Sequence, residues 1–350
     1  MTKVALIEFG TSHDEVLYPQ FRFLEESAKH EVFLFVSEAL KDRLFDYPSH
    51  QLFFIPAQAK RADFLDLHRR LTQMGIQKVV INTASGKMVR NFLWLRPKRS
   101  WKLYGVLHHL RKLENSSTQK LISFFLKDYF FLAEYLQAKA QSLKPKLHYG
   151  QFYAGFLPDF PIADSFRKPS DETWIVIPGQ LEYKRRDYLA LLDSLNANSL
   201  NPKLRFILLG KSKHSHGNGS EFERELKERQ LDAFFKTWDH FVPNEAFYAY
   251  LAQADFVLPL IHKDQASGEL YQKQISGSWN MALAFKIPML IEASSPGAEE
   301  FKDGAYLYQK DELPKLWSRL HELKERTYYQ ASKWQFDSQA RAYLDFLERN

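Results

Sequence analysis

The sequence of 350 residues contains no cysteine. Disulfide staples and thiolate-bound metals are therefore excluded, and a reducing compartment is the natural expectation. It also has no apolar run fit to cross a bilayer, since its greasiest stretch, Leu121 to Leu136, is broken by Lys127, Asp128 and Glu134. The opening MTKVALIEFG lacks the profile of a secretory leader and reads better as a first strand. Internal repeats and low-complexity tracts are missing as well, which leaves an ordinary globular chain. Its composition agrees, with 45% hydrophobic and 26% charged residues. The length suits roughly two domains. A net charge of +6 is a mild basic bias. It suits nucleotides, an anionic membrane surface or nucleic acid, and does not choose among them.

Strand and helix patterns alternate along the chain. Apolar runs at Lys3–Phe9, Glu31–Val36, Gln51–Ile55, Lys78–Asn82, Lys102–Leu107 and Lys127–Leu132 read as strands. Helical periodicity up to Glu26 and at Ala39–Phe45, Ala62–Gln73 and Glu134–Ser142 fills the intervals. From Lys144 to Ser170 the pattern fails. There Pro145, Pro158, Pro161 and Pro169 are interleaved with Tyr149, Phe152, Tyr153, Phe156 and Phe160, a packed crossover rather than a free linker. Strands Trp174–Pro178, Leu204–Gly210, Phe234–Thr237, Phe256–Ile261 and Pro288–Ile291 follow, with helices Arg186–Leu195, Glu221–Arg229, Asn244–Gln253 and Ser278–Phe285 between them. Beyond Lys315 the chain reads as helical. The expected fold is α/β, with parallel sheets covered by helices on both faces. Its expected domains are 1–165 and 166–329, with a terminal helix at about 330–350 that can pack back on the first.

In open α/β sheets ligands bind at the carboxyl ends of the strands, so motifs at those ends carry the functional reading. Gly10, Thr11, Ser12 and His13 follow the first strand. Their backbone N–H groups suit an acceptor or a phosphate, and the same residues also suit a plain turn with Ser12 or Thr11 as helix cap. His108 and His109 end the fifth strand, as a general base, as a sugar or phosphate ligand, or as structural residues. Zinc is not expected, because adjacent side chains diverge and further ligands are not evident.

The stretch TWIVIPGQLEYKRRDY, Thr173 to Tyr188, is the pivot of the chain. It runs strand, Gly179, then Lys184, Arg185 and Arg186 into a helix, an order that suits a clamp on paired phosphoryl groups. Lys211 and Lys213 follow Leu208-Leu209-Gly210 as a second basic edge. Phe241 and Val242 lead into a helix with Asn244 as its cap; in a nucleotide site this loop would pack on the base. Ser276, Gly277 and Ser278 open a helix of small and apolar residues, either an anion seat or an ordinary capped start. Lys87, Arg90, Trp94, Arg96, Lys98, Arg99, Trp101 and Lys102 form a basic, aromatic-rich stretch. It suits a peripheral contact with an anionic membrane, or a solvated surface. No nucleic-acid module is recognisable.

On these residues the chain resembles glycosyltransferases of the GT-B fold, of the family 4 and group 1 kind. The resemblance rests on Gly179 with Lys184, Arg185 and Arg186, on Leu208-Leu209-Gly210, on Phe241 to Glu245, on Ala254-Asp255-Phe256-Val257-Leu258-Pro259, and on the helix ending Ala284-Phe285-Lys286-Ile287-Pro288. The family usually carries two glutamates eight apart before that proline. Here those places hold Lys273 and Met281, with Glu269 four residues before the first.

The resemblance implies two Rossmann-like domains facing across a cleft. The second would hold a UDP- or GDP-linked sugar on Gly179, Lys184, Arg185, Lys211, Lys273 and Ser276 to Ser278, with the base on Phe241 and Val242. The first would hold a saccharide or lipid-linked acceptor near Gly10 to His13, with His109 or His108 closest to the chemistry. Metal and further cofactors would not be needed. The setting would be polysaccharide or glycoconjugate synthesis in the cytoplasm, at the inner face of the membrane if Lys87 to Lys102 touches lipid. Two alternatives share the fold: a nucleotide-sugar-binding assembly protein without catalysis, consistent with the missing glutamates, and a nucleotide-sugar epimerase.

Overall fold

The computed structural model describes residues 1–95, 101–212 and 218–349. The chain divides into two compact units, Met1–Leu157 with Ser332–Asn350, and Pro158–Ala331. The first unit contains β1 (Thr2–Glu8), α1 (Leu17–Glu26), β2 (His30–Ser37), β3 (Leu52–Ile55), α2 (Arg61–Gln73), β4 (Lys78–Ile81), α3 (Gly86–Trp94), β5 (Lys102–Val106), α4 (Arg111–Asn115), α5 (Ser117–Phe125), β6 (Asp128–Phe131), α6 (Glu134–Leu143) and β7 (His148–Gln151). Its strands are all parallel, in the order β3-β2-β1-β4-β5-β6-β7. Val4, Ala5, Leu6 and Ile7 of β1 have no exposed surface, as expected of a central parallel strand with both faces covered. From β1 the chain builds outward to β2 and β3, then starts again on the other side with β4. The loops after β1 and β4 therefore leave in opposite directions and open a crevice at the carboxyl edge.

The second unit repeats this plan with different lengths. It holds β8 (Thr173–Pro178), α7 (Tyr188–Asp193), β9 (Leu204–Leu209), α8 (Gly219–Glu228), β10 (Phe235–Lys236), α9 (Asn244–Ala252), β11 (Phe256–Val257), α10 (Ala266–Tyr271), α11 (Gly277–Ala284), β12 (Met289–Glu292), α12 (Ala298–Phe301), β13 (Ala305–Tyr308) and α13 (Leu313–Lys324). The order β10-β9-β8-β11-β12-β13 puts its reversal between β8 and β11. A last helix, α14 (Phe336–Glu348), belongs to the first unit. There Tyr343 stacks on Phe130 at 4.6 Å and Phe346 meets the same ring edge-on at 4.7 Å. Such aromatic pairs contribute about 1 kcal/mol each beyond their burial.

The α/β class and the two parallel sheets are as the pattern predicts, and several details differ. β7 falls inside the stretch where the pattern fails. Its Gly150 leaves room for α14, since a Cβ there would stand 2.6 Å from Phe346 Cγ. β13 is likewise absent from the sequence reading. Ala39–Phe45 is not an α-helix; a 3₁₀ segment spans Glu38–Arg43. Residues 158–165, read as part of the first domain, belong to the second unit. The cause is Phe160, whose ring stacks on Tyr248 at 3.9 Å. Among the described residues no helix is long and apolar enough to cross a membrane.

Candidate functional site

At the carboxyl edge of the first sheet, side chains from β1, β4 and β5 converge. Glu8, the last residue of β1, is fully buried, and its carboxylate accepts hydrogen bonds from Gly10 N (2.6 Å), Asn82 Nδ2 (2.8 Å) and Thr83 Oγ1 (2.6 Å). Asn82, just beyond β4, has every polar group engaged. Its Nδ2 also donates to the His13 carbonyl (2.8 Å), its Oδ1 accepts from Gln20 Nε2 (2.7 Å), its N–H reaches Ile7 O, and its carbonyl accepts from His108 Nε2 (2.8 Å). An aspartate could not replace it, because the site needs two side-chain donors as well as an acceptor. Gln20 is held in turn by Tyr343 of α14, whose hydroxyl donates to Oε1 at 3.2 Å.

This network brings two of the sequence-selected histidines together. His13 takes a left-handed backbone (φ 69°, ψ 23°), and its ring stacks on that of His108 with centroids 3.8 Å apart and planes 14° from parallel. A non-glycine residue at positive φ is uncommon and is held here by the Asn82 bond to its carbonyl. The 3₁₀ segment after β2 supplies Arg43, which pairs with Asp14 at 2.6 Å and donates to the Thr11 carbonyl at 3.0 Å.

The two stacked rings differ in protonation. His108 Nε2 faces a carbonyl and must donate, so the neutral ring carries its lone pair on Nδ1. Burial and the charge of His13 push His108 well below the usual histidine range, against the Asn82 hydrogen bond. At His13 burial disfavours the cation too, but the Glu15 hydrogen bond and the charges of Glu15, Glu8 and Asp14 outweigh it and raise His13. Burial also raises Glu8, and together with Glu15 it pushes Asp14 up to about 6 despite Arg43. The result is an imidazole whose cation is favoured, stacked on one whose cation is disfavoured.

In the Gly10 loop, read as facing an acceptor or a phosphate or else as a plain capped turn, one donor is already engaged. The Gly10 N–H is already given to Glu8, and neither Thr11 nor Ser12, both exposed, caps a helix. His109 is half-buried beside His108, and its carbonyl accepts from Lys112 N at 3.1 Å.

In the second unit the pivot stretch is largely a self-bracing turn. Gly179 has φ 106°, and its N–H reaches the Leu209 carbonyl at 2.8 Å. Gly210 lies against the same peptide, so that a Cβ there would overlap the Gly179 carbonyl. Arg186, only 6% exposed, donates to the carbonyls of Pro178 and Gln180. It is thus a lock on the turn, and not the third cation of a phosphate clamp. Lys184 and Arg185 are exposed and both turn to Glu182, at 3.5 and 3.0 Å. Lys211 follows on the neighbouring strand, its carbonyl accepting from Leu181 N. Behind the turn, Asp187 accepts from buried His262 Nδ1 (2.7 Å) and from Lys310 Nζ (2.9 Å), while His262 Nε2 meets the Tyr308 hydroxyl at 2.9 Å. Burial opposes the Asp187 charge, yet these donors and the Ala190 N–H outweigh it and hold Asp187 far below the usual carboxylate range.

Ser276 and Ser278 are buried, and their hydroxyls bond to each other at 2.7 Å. Between them Gly277 is exposed at the first position of α11, with open space where a Cβ would stand. Lys273 is half-exposed three residues before Ser276, and Glu269 is exposed on α10. The Phe241 ring is 70% exposed, whereas Val242 is buried in the core, so its side chain cannot face a base. Pro243, not Asn244, occupies the cap of α9. In the basic stretch of the first unit Trp101 is buried and stacks on His68 at 5.7 Å. Arg96, Lys98, Arg99 and Lys213 lie outside the described residues. No cluster of metal-ligating side chains occurs among the described residues.

Glu8, Asn82, Thr83, Gln20 and Arg43 were not selected from sequence. For two of them a signal existed: a carboxylate closing the apolar run VALIE, and an asparagine closing KVVIN, each at a strand's carboxyl end.

No protein-family model matches the sequence, and no curated protein does. Solved structures do match in shape. A glycosyltransferase from Rickettsia africae aligns with a TM-score of 0.64 at 9% identity, over 100% of this chain and 99% of that one. The apo form of the lipopolysaccharide outer core galactosyltransferase WaaB gives 0.57 at 12%, over 99% and 95%. The UDP-GlcNAc 2-epimerase of Neisseria meningitidis, bound to UDP-GlcNAc, gives 0.62 at 10%, over 100% of both chains. Two Rossmann-like units, each with its strand order reversing at the centre, together with these likenesses, make the fold of this chain GT-B.

Proposed function

We propose that the chain transfers a sugar from a nucleotide-diphosphate donor to a saccharide or lipid-linked acceptor. The observation that carries this reading is His108, buried at the crevice of the first sheet and kept neutral with its lone pair on Nδ1. In the reaction the acceptor oxygen bonds to the anomeric carbon, the bond from that carbon to the diphosphate oxygen breaks, and the hydroxyl proton passes to His108 Nδ1. His13, whose cation is favoured, would donate a hydrogen bond to the sugar. On the second unit Gly277 at the start of α11, with Lys273, Lys211, Lys184 and Arg185, would take the diphosphate. A helix N-terminus and cations stabilise such a leaving group without a metal. The Phe241 ring would cover the base.

One observation favours a second reading. An acid, His13, stacked on a base, His108, is also what removal and return of a proton on a sugar carbon requires, and this supports a nucleotide-sugar epimerase.

The test is incubation of the purified chain with UDP- and GDP-sugars, with and without glycan acceptors, followed by chromatography of the nucleotides. Free nucleoside diphosphate that forms only with an acceptor is the expected result. A donor converted without an acceptor would establish the epimerase, and binding without turnover would leave the assembly protein.

A further inference from the structure

We propose that the outer face of α3 and α5 docks on an anionic membrane surface. Trp94 and Phe124 are 63% and 68% exposed, values that water tolerates poorly for rings of this size. They belong to one continuous strip, for Phe125 meets Trp94 edge-on at 6.4 Å and Phe124 at 5.1 Å. The strip forms because both helices return antiparallel to neighbouring parallel strands, β4 and β5, which brings their carboxyl-terminal ends side by side.

Each helix sets a cation one turn behind its exposed ring, Arg90 before Trp94 and Lys120 before Phe124. Lys127 lies over the Phe124 ring at 5.9 Å. Lys120 and Lys127 are exposed and Arg90 half-exposed, and neither helix contains Asp or Glu. Rings that enter the headgroup layer, with cations level with the lipid phosphates and no carboxylate on the helices that carry the rings, are the chemistry of a peripheral membrane contact. Cations standing behind the rings, rather than along a groove, favour lipid over nucleic acid. This face differs from the stretch Lys87 to Lys102 that the sequence suggests. Trp101 is buried there, and α5 supplies the missing half.

The proposal does not depend on the sugar chemistry, and neither does its readout. The full chain is sedimented with phosphatidylcholine vesicles, with and without phosphatidylglycerol, at low and high salt. Binding is expected only with the anionic lipid and should weaken with salt. Replacing Lys120 and Lys127 by Gln should lower partitioning about thirtyfold. Trp94→Ala with Phe124→Ala should lower it at least about tenfold, and more than added salt does. All four positions are exposed, so the variants should keep the parent's circular dichroism and melting curve. Equal binding to neutral vesicles, or variants that bind like the parent, would overturn the proposal. Without vesicle binding, a dimer split by the aromatic variant would assign the face to a second copy of the chain, and retention of duplex DNA lost in the lysine variant would assign it to nucleic acid.

Discussion

The two sheets reverse their strand order in the same way, yet their carboxyl edges are built from opposite materials. In the first unit the edge consists of titratable side chains, with Glu8, His13 and His108 held by one asparagine and Asp14 by Arg43. In the second the turn at the edge is made of backbone, with two glycines pressed together and a guanidinium bonded to carbonyls, and the titratable pair Asp187 and His262 is tied up behind it. The comparison teaches that topology fixes where a ligand can sit, while the residues at the edge fix what can be done to it. On the proposed reading, proton transfer would belong to the first edge. The second offers dipoles and point charges.

If that division is right, substitutions at the two edges should fail differently. The largest effect is expected from His108→Ala, which should cost turnover about a thousandfold, or about 4 kcal/mol, well beyond the loss of stability that removing a buried, hydrogen-bonded ring brings. His13→Gln should act on pH instead. The His13 cation is favoured, so the parent should lose rate as pH rises through the raised value, and the variant should lack that limb in a pH–rate profile. Rate losses that track stability in either variant would break the comparison.

Next comes Asp187→Ala, predicted to destabilise by about 3 kcal/mol because buried His262 and Lys310 lose their shared anion. The sign with pH is definite. The folded pKa lies below the ordinary value of 3.8, so the Asp187 contribution is complete above about pH 4 and drains away as pH falls through the depressed value. Urea denaturation of parent and variant should therefore converge in acid.

The smallest effect belongs to Lys184→Ala with Arg185→Ala. Both side chains are exposed and pair with Glu182, so stability should change by less than about 1 kcal/mol. Calorimetric titration with UDP or GDP should show weaker binding in the variant. An unchanged affinity would remove these cations from the donor side and leave α11 to carry it.

Period and composition announced both sheets, because buried parallel strands are apolar throughout and cannot be mistaken over several turns of alternation. β7 escaped for a physical reason: its glycine is shaped for Phe346, nearly two hundred residues onward, and local pattern cannot record a distant neighbour. The candidate site was half legible. The histidines stood out by type, but their stacking depends on a left-handed turn at His13 that no histidine announces. Arg186 looked like its exposed neighbours Lys184 and Arg185, but it turns inward to two backbone carbonyls through the space that Gly179 leaves by lacking a Cβ. Ser276 and Ser278 were read by their hydroxyls, and the structure shows those hydroxyls satisfying each other.

The return of α14 to the first unit has a consequence for how the molecule is made. A chain leaving the ribosome presents residues 1–157 first, and these carry every strand of the first sheet. Yet the bond from Tyr343 to Gln20, which itself donates to Asn82, and the filling of the space above Gly150 must wait for the final helix. The second unit, contiguous from Pro158 to Ala331, can close before that helix emerges. The unit begun first is finished last, so an incomplete chain carries no fully braced His108.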